Sequence, residues 1–247
     1  MASGVELAKS CQTLVGMVRD VRALGRRLRV AMHRRSGARL TQDYFVSHRV
    51  RKLHLGAGPT VLPGWLNTDV YAWTTQTAYL DATKRFPFPE ESFDYVFSEH
   101  MIEHVWWTDA LFMLRECWRV LKPGGRIRIA TPDLAVLTTT LERSSEPMSQ
   151  KYIRWITDKW LPDIDLYHPC FVLNNAFKNW GHQLLYDESL LREALERTGF
   201  AEIRRCSANF SEDEHLCSVD SHGTSGDEEF TSFETMTFEA RRPLSKS

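Results

Sequence analysis

The order of apolar and polar positions along most of the chain predicts strands that alternate with helices and short turns. Apolar runs of strand length end near Leu55, Asp69 and Ser98. Apolar positions at helical spacing cover about 108–121 and 187–198. Strands and helices in this alternating order favour an α/β fold built on a doubly wound, mostly parallel sheet.

Local signals give approximate bounds for the predicted elements. Thr108 and Asp187 have side chains that suit helix N-caps, and Gly199 is typical of a helix end. The last two strands are joined without a full helix, which permits an antiparallel edge. The predicted strands cover about 51–55, 65–69, a short segment that ends at Asp81, 93–98, 126–131, 201–208 and the stretch FETMTFEARRP.

Two segments interrupt this alternation. The segment at about 134–185 is rich in tryptophan, histidine and asparagine and is too long for a plain connection. We expect it to form a cap of short helices beside the strand tips. Residues 211–229 contain seven acids and no lysine or arginine, so we expect a solvated loop there. The main domain is taken as 48–247.

The first 40 residues form a separate extension in this interpretation. Their apolar or small positions recur in alternating steps of four and three, and arginines surround that seam, so a basic amphipathic helix is predicted. Ser36 and Gly37 are read as its end. Three roles stay open: packing on the main domain, pairing with a second copy as a homodimer, or contact with an anionic membrane surface.

Composition narrows the class of protein. The chain has 247 residues, of which 43% are apolar and 26% are charged, so we expect a soluble globular protein. The net charge of −1 predicts no general attraction to nucleic acid. Five scattered cysteines without a CxxC pair favour reduced thiols and a cytoplasmic location. No apolar run has the length of a membrane span, and the start lacks the pattern of a secretory signal.

The stretch LHLGAGPTVLPGWLNTDV holds the first candidate binding site. A strand ends at a Gly-Ala-Gly turn, Gly56 to Gly58, and a second strand ends at Asp69. Glycines at such a turn allow a ligand to approach the backbone, and a carboxylate at the next strand tip can accept ribose hydroxyls. The third glycine of the dinucleotide fingerprint is missing, and the spacing to Asp69 is short for that fold.

Four motifs together resemble the class I S-adenosylmethionine-dependent methyltransferases, in particular small bacterial members of the methyltransferase type 11-like family. They stand as LHLGAG…GWLNTD, FPFPEESFDYVFSEHMIEH, RVLKPGGRIRIATPD and GHQLLYDESLLREALERTGF, and they cover about residue 50 to the end. The resemblance implies a Rossmann-like, seven-stranded sheet with an antiparallel C-terminal strand. It also implies an S-adenosylmethionine site at the strand tips.

The resemblance further implies a set of cofactor-binding positions. Gly56, Ala57 and Gly58 would touch the methionine and ribose part, and Asp69 would take the ribose hydroxyls. Asp81, with Ala82, would face the adenine. Ser98, Glu99 and His100 would border the methionine end and the methyl group.

A methyl transfer to a hydroxyl needs a base near neutral pH, for which histidine is suited. His100 and His182 are the candidates, with His182 slightly favoured. Trp180, Tyr186 and His168 are candidates for an acceptor pocket or for ordinary packing. A metal site at His100 and His104 is not expected, because no HExxH order or third ligand is apparent.

The methyl acceptor is constrained mainly by what the sequence lacks. The chain reads SEHM after the fourth strand and lacks the Asn-Pro-Pro-Tyr motif, which would resemble enzymes that methylate amino nitrogens. The sequence also shows no basic groove with interleaved aromatic residues. A small-molecule or glycan substrate, accepting at a hydroxyl oxygen, is therefore favoured on resemblance. The alternative is a non-catalytic binding protein that retains the methyltransferase fold.

Overall fold

The computed structural model of the protein describes residue 33, residues 35–220 and residues 227–244. Its centre is a seven-stranded sheet in the order β3-β2-β1-β4-β5-β7-β6. The first five strands are parallel, and β7 runs antiparallel to both β5 and β6. This confirms the predicted fold class. The strands are β1 (Lys52–Leu55), β2 (Leu66–Asp69), β3 (Ala78–Tyr79), β4 (Phe93–Glu99), β5 (Leu121–Pro132), β6 (Ala201–Cys206) and β7 (Thr235–Arg241).

Helices flank the sheet and fill the segment between β5 and β6. A short 3₁₀ turn, Ile102–His104, directly follows β4. The α-helices are α1 (residues 35–47), α2 (Trp107–Val120), α3 (Leu134–Glu142), α4 (Pro147–Trp160), α5 (Pro169–Lys178), α6 (Glu188–Arg197) and α7 (Glu228–Glu234).

The core lies against the three central strands. Leu53, Val96 and Ile127 face one another in register across β1, β4 and β5, and each is at most 1% exposed. Burial of one such side chain contributes roughly 1.5–3 kcal/mol. Because parallel strands all end at the same edge, this buried centre fixes the position of the loops that follow β1, β2 and β4.

One of the two predicted helix caps is present as expected. Asp187 accepts a hydrogen bond from the backbone N–H of Leu190 at 2.8 Å and caps α6. The prediction for α2 was wrong: its N-cap is Trp106, which makes no side-chain capping bond, and Thr108 lies inside the first turn. The helix starts earlier because the apolar Trp107 packs against the core.

The predicted helix end at Ser36 and Gly37 was also wrong, since α1 continues through both residues to 47. A Cβ at Gly37 would lie 2.5 Å from the backbone nitrogen of Tyr79. The glycine therefore allows α1 to approach β3 closely and does not end the helix. The Tyr44 hydroxyl then ties α1 to β1 through the Lys52 carbonyl, at 3.0 Å.

Most of the basic N-terminal seam lies outside the described residues. The predicted membrane contact and homodimer therefore stay predictions. Within the described part of the chain, none of the helices is both long and apolar enough to cross a membrane.

Helices α3, α4 and α5 pack around an apolar cluster of their own, which includes Leu137, Ile156 and Val172. The segment joins the sheet at the carboxyl end of β5, where Leu134 N–H donates to the Tyr186 carbonyl at 2.8 Å. This places three helices directly above the strand tips.

Arg128 on β5 is buried within a polar network. Its guanidinium donates to Glu239 at 2.7 Å and also pairs with Asp220, and it is 0% exposed. It also donates to the Ser207 and Phe210 carbonyls. One arginine thus fastens the loop after β6 to the face of the sheet.

We expect Arg128→Met to lower the free energy of unfolding by about 3–5 kcal/mol, because it removes the buried arginine from Asp220 and leaves Glu239 paired with the partly exposed Arg204, at 3.2 Å. Arg126 is the matched control. It lies two residues earlier on β5, is 30% exposed at its side chain and lies 3.4 Å from Asp213. Arg126→Met should cost about 1 kcal/mol or less. Urea unfolding measures both, and equal losses would contradict the role given to Arg128.

Candidate active site

Two cavities meet above the carboxyl ends of the parallel strands. The smaller has a volume of about 530 Å³ and lies against the ends of β1 and β2. The larger, about 660 Å³, lies between the strand tips and helices α3, α4, α5 and α7. Four residues line both cavities: Trp73, His100, His104 and Trp180. A ligand in one cavity would therefore be separated from a ligand in the other by a single layer of side chains.

The glycine turn after β1 forms one wall of the smaller cavity. Gly56 has φ of +65°, and a Cβ there would lie 2.5 Å from Met101 Cγ. Gly58 has φ of +53°, and its N–H donates to Asp69 at 3.0 Å. The hydrogen bond to Asp69 fixes the end of the turn without a third glycine.

Two carboxylates at strand ends complete this wall. Asp69 accepts from Gly58 and from the Tyr71 N–H, at 3.0 and 2.8 Å. Asp81 accepts from the N–H and the hydroxyl of Thr83, at 3.0 and 2.7 Å. Each carboxylate is thereby oriented by its own loop and keeps lone pairs for a ligand. Six of the nine positions that the resemblance assigns to the cofactor line this cavity: Gly56, Gly58, Asp69, Asp81, Ala82 and His100.

Three predicted cofactor positions, Ala57, Ser98 and Glu99, do not line the two cavities. Ala57 is buried and donates its N–H to the Thr68 carbonyl, at 2.9 Å. Ser98 is buried within β4, and neither it nor Glu99 is among the residues that line the two cavities. His100 does line both, because its positive φ of 46° turns the chain out of the strand. The roles of Ala57, Ser98 and Glu99 stay predictions from the resemblance.

A buried carboxylate that the sequence analysis did not single out lies beside His100. Glu103 is 0% exposed, and its Oε1 lies 3.3 Å from His100 Nδ1. Its Oε2 accepts from the Thr131 hydroxyl at 3.0 Å. Burial alone would lower the pKa of His100, but hydrogen bonding to Glu103 and its charge raise the pKa above the usual value.

His182 lies in the larger cavity. Its Nδ1 lies 2.7 Å from the Ala176 carbonyl, to which it donates, so Nε2 keeps its lone pair. Its ring meets that of His104 edge-on, with centroids 4.9 Å apart. Burial lowers the pKa of His182, which keeps this imidazole neutral.

Of the three candidates for an acceptor pocket, Trp180, Tyr186 and His168, only the first lines either cavity. Trp180 lines both cavities. Tyr186 is wholly buried in the main core, and His168 is exposed and caps α5 by accepting from the Cys170 N–H at 3.2 Å. Neither Tyr186 nor His168 is among the residues that line the two cavities.

The walls of the larger cavity combine aromatic faces with acidic groups. Tyr152, Trp155 and Trp160 supply the aromatic surface. Burial raises the pKa of Glu234, which accepts from the Tyr152 hydroxyl. Asp227 pairs with Lys159 and accepts from Trp155 Nε1. The richness of segment 134–185 in tryptophan was the one sequence signal for this surface.

Substitutions at the two glycines of the turn should differ in cost. Gly56→Ala would push a Cβ into Met101 and adds strain at positive φ, so we expect a loss of about 2–4 kcal/mol. Gly58→Ala carries the same strain, but among the described residues nothing lies within 4 Å of its added Cβ, so about 1 kcal/mol is expected. Thermal unfolding compares them, and a larger loss at Gly58 would contradict the packing described.

Comparisons with known proteins agree with this architecture. A family model described as a methyltransferase domain matches residues 67–129. A probable S-adenosylmethionine-dependent methyltransferase of Mycolicibacterium smegmatis is 43% identical over 47 residues. That match covers 19% of this chain and only 18% of the relative.

Two solved methyltransferase structures are similar to this chain at low sequence identity. A SAM-dependent methyltransferase from Archaeoglobus fulgidus has 18% identity and a TM-score of 0.48, over 83% of this chain and 92% of that one. Phosphoethanolamine N-methyltransferase 2 of Haemonchus contortus, in complex with S-adenosyl-L-methionine, has 16% identity and a TM-score of 0.45. That likeness covers 79% of this chain and 49% of the other.

The family match extends from β2 to β5 and includes Asp69, Asp81 and His100. The strand order, with its antiparallel β7, is the one implied by the sequence resemblance. Residues 67–129 of the chain therefore match a methyltransferase domain.

Proposed function

We propose that the protein transfers the methyl group of S-adenosylmethionine to a hydroxyl oxygen of a small-molecule or glycan acceptor. The observation that carries this proposal is the junction of the two cavities at His100, His104, Trp73 and Trp180. In this proposal the cofactor fills the smaller cavity and the acceptor fills the larger. The methyl group would cross the shared wall of side chains.

The residues of the smaller cavity suit an adenosyl group with a methionine tail. The glycine turn leaves room for the methionine and ribose part, and Asp69 would accept from the ribose hydroxyls. Asp81 and Ala82 would face the adenine. The carboxylates are already held by backbone N–H groups, so little reorganisation is needed on binding.

The larger cavity suits a flat acceptor with polar substituents. Tryptophan and tyrosine offer wide apolar faces together with N–H and O–H donors. Glu234, Asp227 and Asn175 add acceptors and donors along the same walls. A sugar ring or a small aromatic alcohol has this combination of a flat face and hydroxyls.

The sulfonium of the cofactor supplies a strongly electrophilic methyl group. The protein must align the acceptor oxygen with it, exclude water and take the hydroxyl proton. We assign the role of the base that accepts this proton to His100, because His100 lines both cavities. Glu103 would hold the proton of this histidine on Nδ1. The Nε2 of His100, 3.1 Å from the Thr235 hydroxyl, would then accept the proton from the substrate.

Calorimetry with S-adenosylmethionine tests the cofactor site. We expect micromolar binding by the wild type and a loss of about 1–3 kcal/mol in Asp69→Ala, through removal of a charged hydrogen-bond acceptor. Asp43 is an exposed carboxylate on α1 that lines neither cavity, so Asp43→Ala should leave the affinity unchanged.

No binding by the wild type would reject the enzyme and leave the non-catalytic alternative. Equal affinity in wild type and Asp69→Ala would remove Asp69 from the site.

Transfer of labelled methyl groups to a panel of sugars and phenols tests the base. His100→Gln should lower turnover by about 10²–10⁴-fold and keep the affinity for S-adenosylmethionine. His168→Asn is the control, since that exposed residue serves as a helix cap and asparagine preserves the cap. Full turnover in His100→Gln would exclude His100 as the base.

A further inference from the structure

Three side chains with metal-binding atoms converge where the two cavities meet. They are Glu103, His104 and His182, and one donor atom from each lies within 4.8 Å of the others. Glu103 and His104 belong to the 3₁₀ turn after β4, and His182 comes from the segment after α5. The proposed methyl transfer assigns no contact with substrate to any of the three.

Backbone hydrogen bonds hold these two segments together. The Glu103 carbonyl accepts from the N–H groups of Gln183 and Leu184, at 2.8 and 3.2 Å. The Gln183 side chain donates in return to the His104 carbonyl at 2.8 Å. The convergence of the three donors is therefore fixed by the main chain and does not depend on the rotamer of an exposed side chain.

The Glu103 carboxylate has capacity left for a cation. It is fully buried, and a carboxylate offers about four lone-pair sites. Thr131 occupies one, and His100 lies 3.3 Å from Oε1, longer than the usual length of about 2.7–2.9 Å for a charged pair. A buried carboxylate is costly unless opposite charge compensates it, and a divalent cation would do so.

His182 has the arrangement of a histidine that binds metal. Its Nδ1–H donates to the Ala176 carbonyl at 2.7 Å, which leaves Nε2 free of a proton. Histidine ligands to metals usually donate their second nitrogen to a carbonyl or carboxylate in this way. The His104 ring lies beside it, with centroids 4.9 Å apart.

We propose that Glu103, His104 and His182 form a binding site for one divalent cation. Two imidazoles and one carboxylate favour Zn²⁺, Co²⁺ or Mn²⁺ over Ca²⁺. With metal–ligand bonds of about 2.0–2.2 Å the donors would have to approach one another to about 3.3 Å on binding.

Three protein ligands leave one coordination position open. His104 and His182 both line the larger cavity, so that position faces the space proposed for the acceptor. A cation there would polarise an acceptor oxygen. The sequence analysis rejected a metal at His100 and His104 for lack of a third ligand, but the set found here replaces His100 by Glu103 and adds His182 from the cap.

Cobalt binding to the untagged full chain tests the site. Cys170 and Cys217 are exposed thiols and are first replaced by serine, so that they do not compete for metal. After treatment with a chelator, the protein is titrated with Co²⁺ by calorimetry and by visible absorption. We expect one site per chain. His104→Gln and His182→Gln should each weaken binding at least tenfold, and His168→Asn should leave it unchanged.

Absence of saturable Co²⁺ binding in the parent would overturn the proposal, whether or not any variant folds. Equal binding in the parent and in correctly folded His104→Gln and His182→Gln would overturn it as well. Calorimetry of the same metal-free protein with S-adenosylmethionine separates the two proposals. Cofactor binding without cobalt binding would reject the metal site alone.

Discussion

The buried carboxylate of Glu103 joins the parts on which the site depends. His100 approaches it from the end of β4, and Thr131 donates to it from the end of β5. Its own backbone carbonyl accepts from Gln183 and Leu184, after α5. Glu103 thus contacts both the sheet and the segment above it, and a buried negative charge requires that its partners stay in place.

This connection explains why two cavities form where open α/β sheets usually offer one crevice. The smaller cavity belongs to the strand tips, with Asp69 held by the glycine turn. The larger exists because α3, α4 and α5 stand above those tips around an apolar cluster of their own. The boundary consists of Trp73, His100, His104 and Trp180, so any group that passes from one ligand to the other must pass these side chains.

Three histidines, His100, His104 and His182, and the acids Glu103 and Glu234 lie at or near this boundary. Glu103 acts on His100 through hydrogen bonding and charge, and Glu234 adds a weaker effect of the same sign. His182 is influenced mostly by its burial, which keeps it neutral. Similar residue types therefore acquire different chemistry from their surroundings, as expected where perturbed pKa values cluster at a functional site.

Local sequence patterns determined the strands, the α6 cap at Asp187 and the wall made by Gly56, Gly58 and Asp69, because each depends on neighbours a few residues away. Local patterns also misled at Gly37, where a glycine inside α1 serves a contact with β3.

Only the tertiary structure decided which residues distant in the sequence meet the histidines of the site. His100 and Thr235, which lie 135 positions apart, meet because β7 folds back antiparallel on β5. Glu103 and His182 meet because the cap returns to the strand tips. No periodicity or spacing in the sequence encodes such contacts, since they arise from the packing of whole elements.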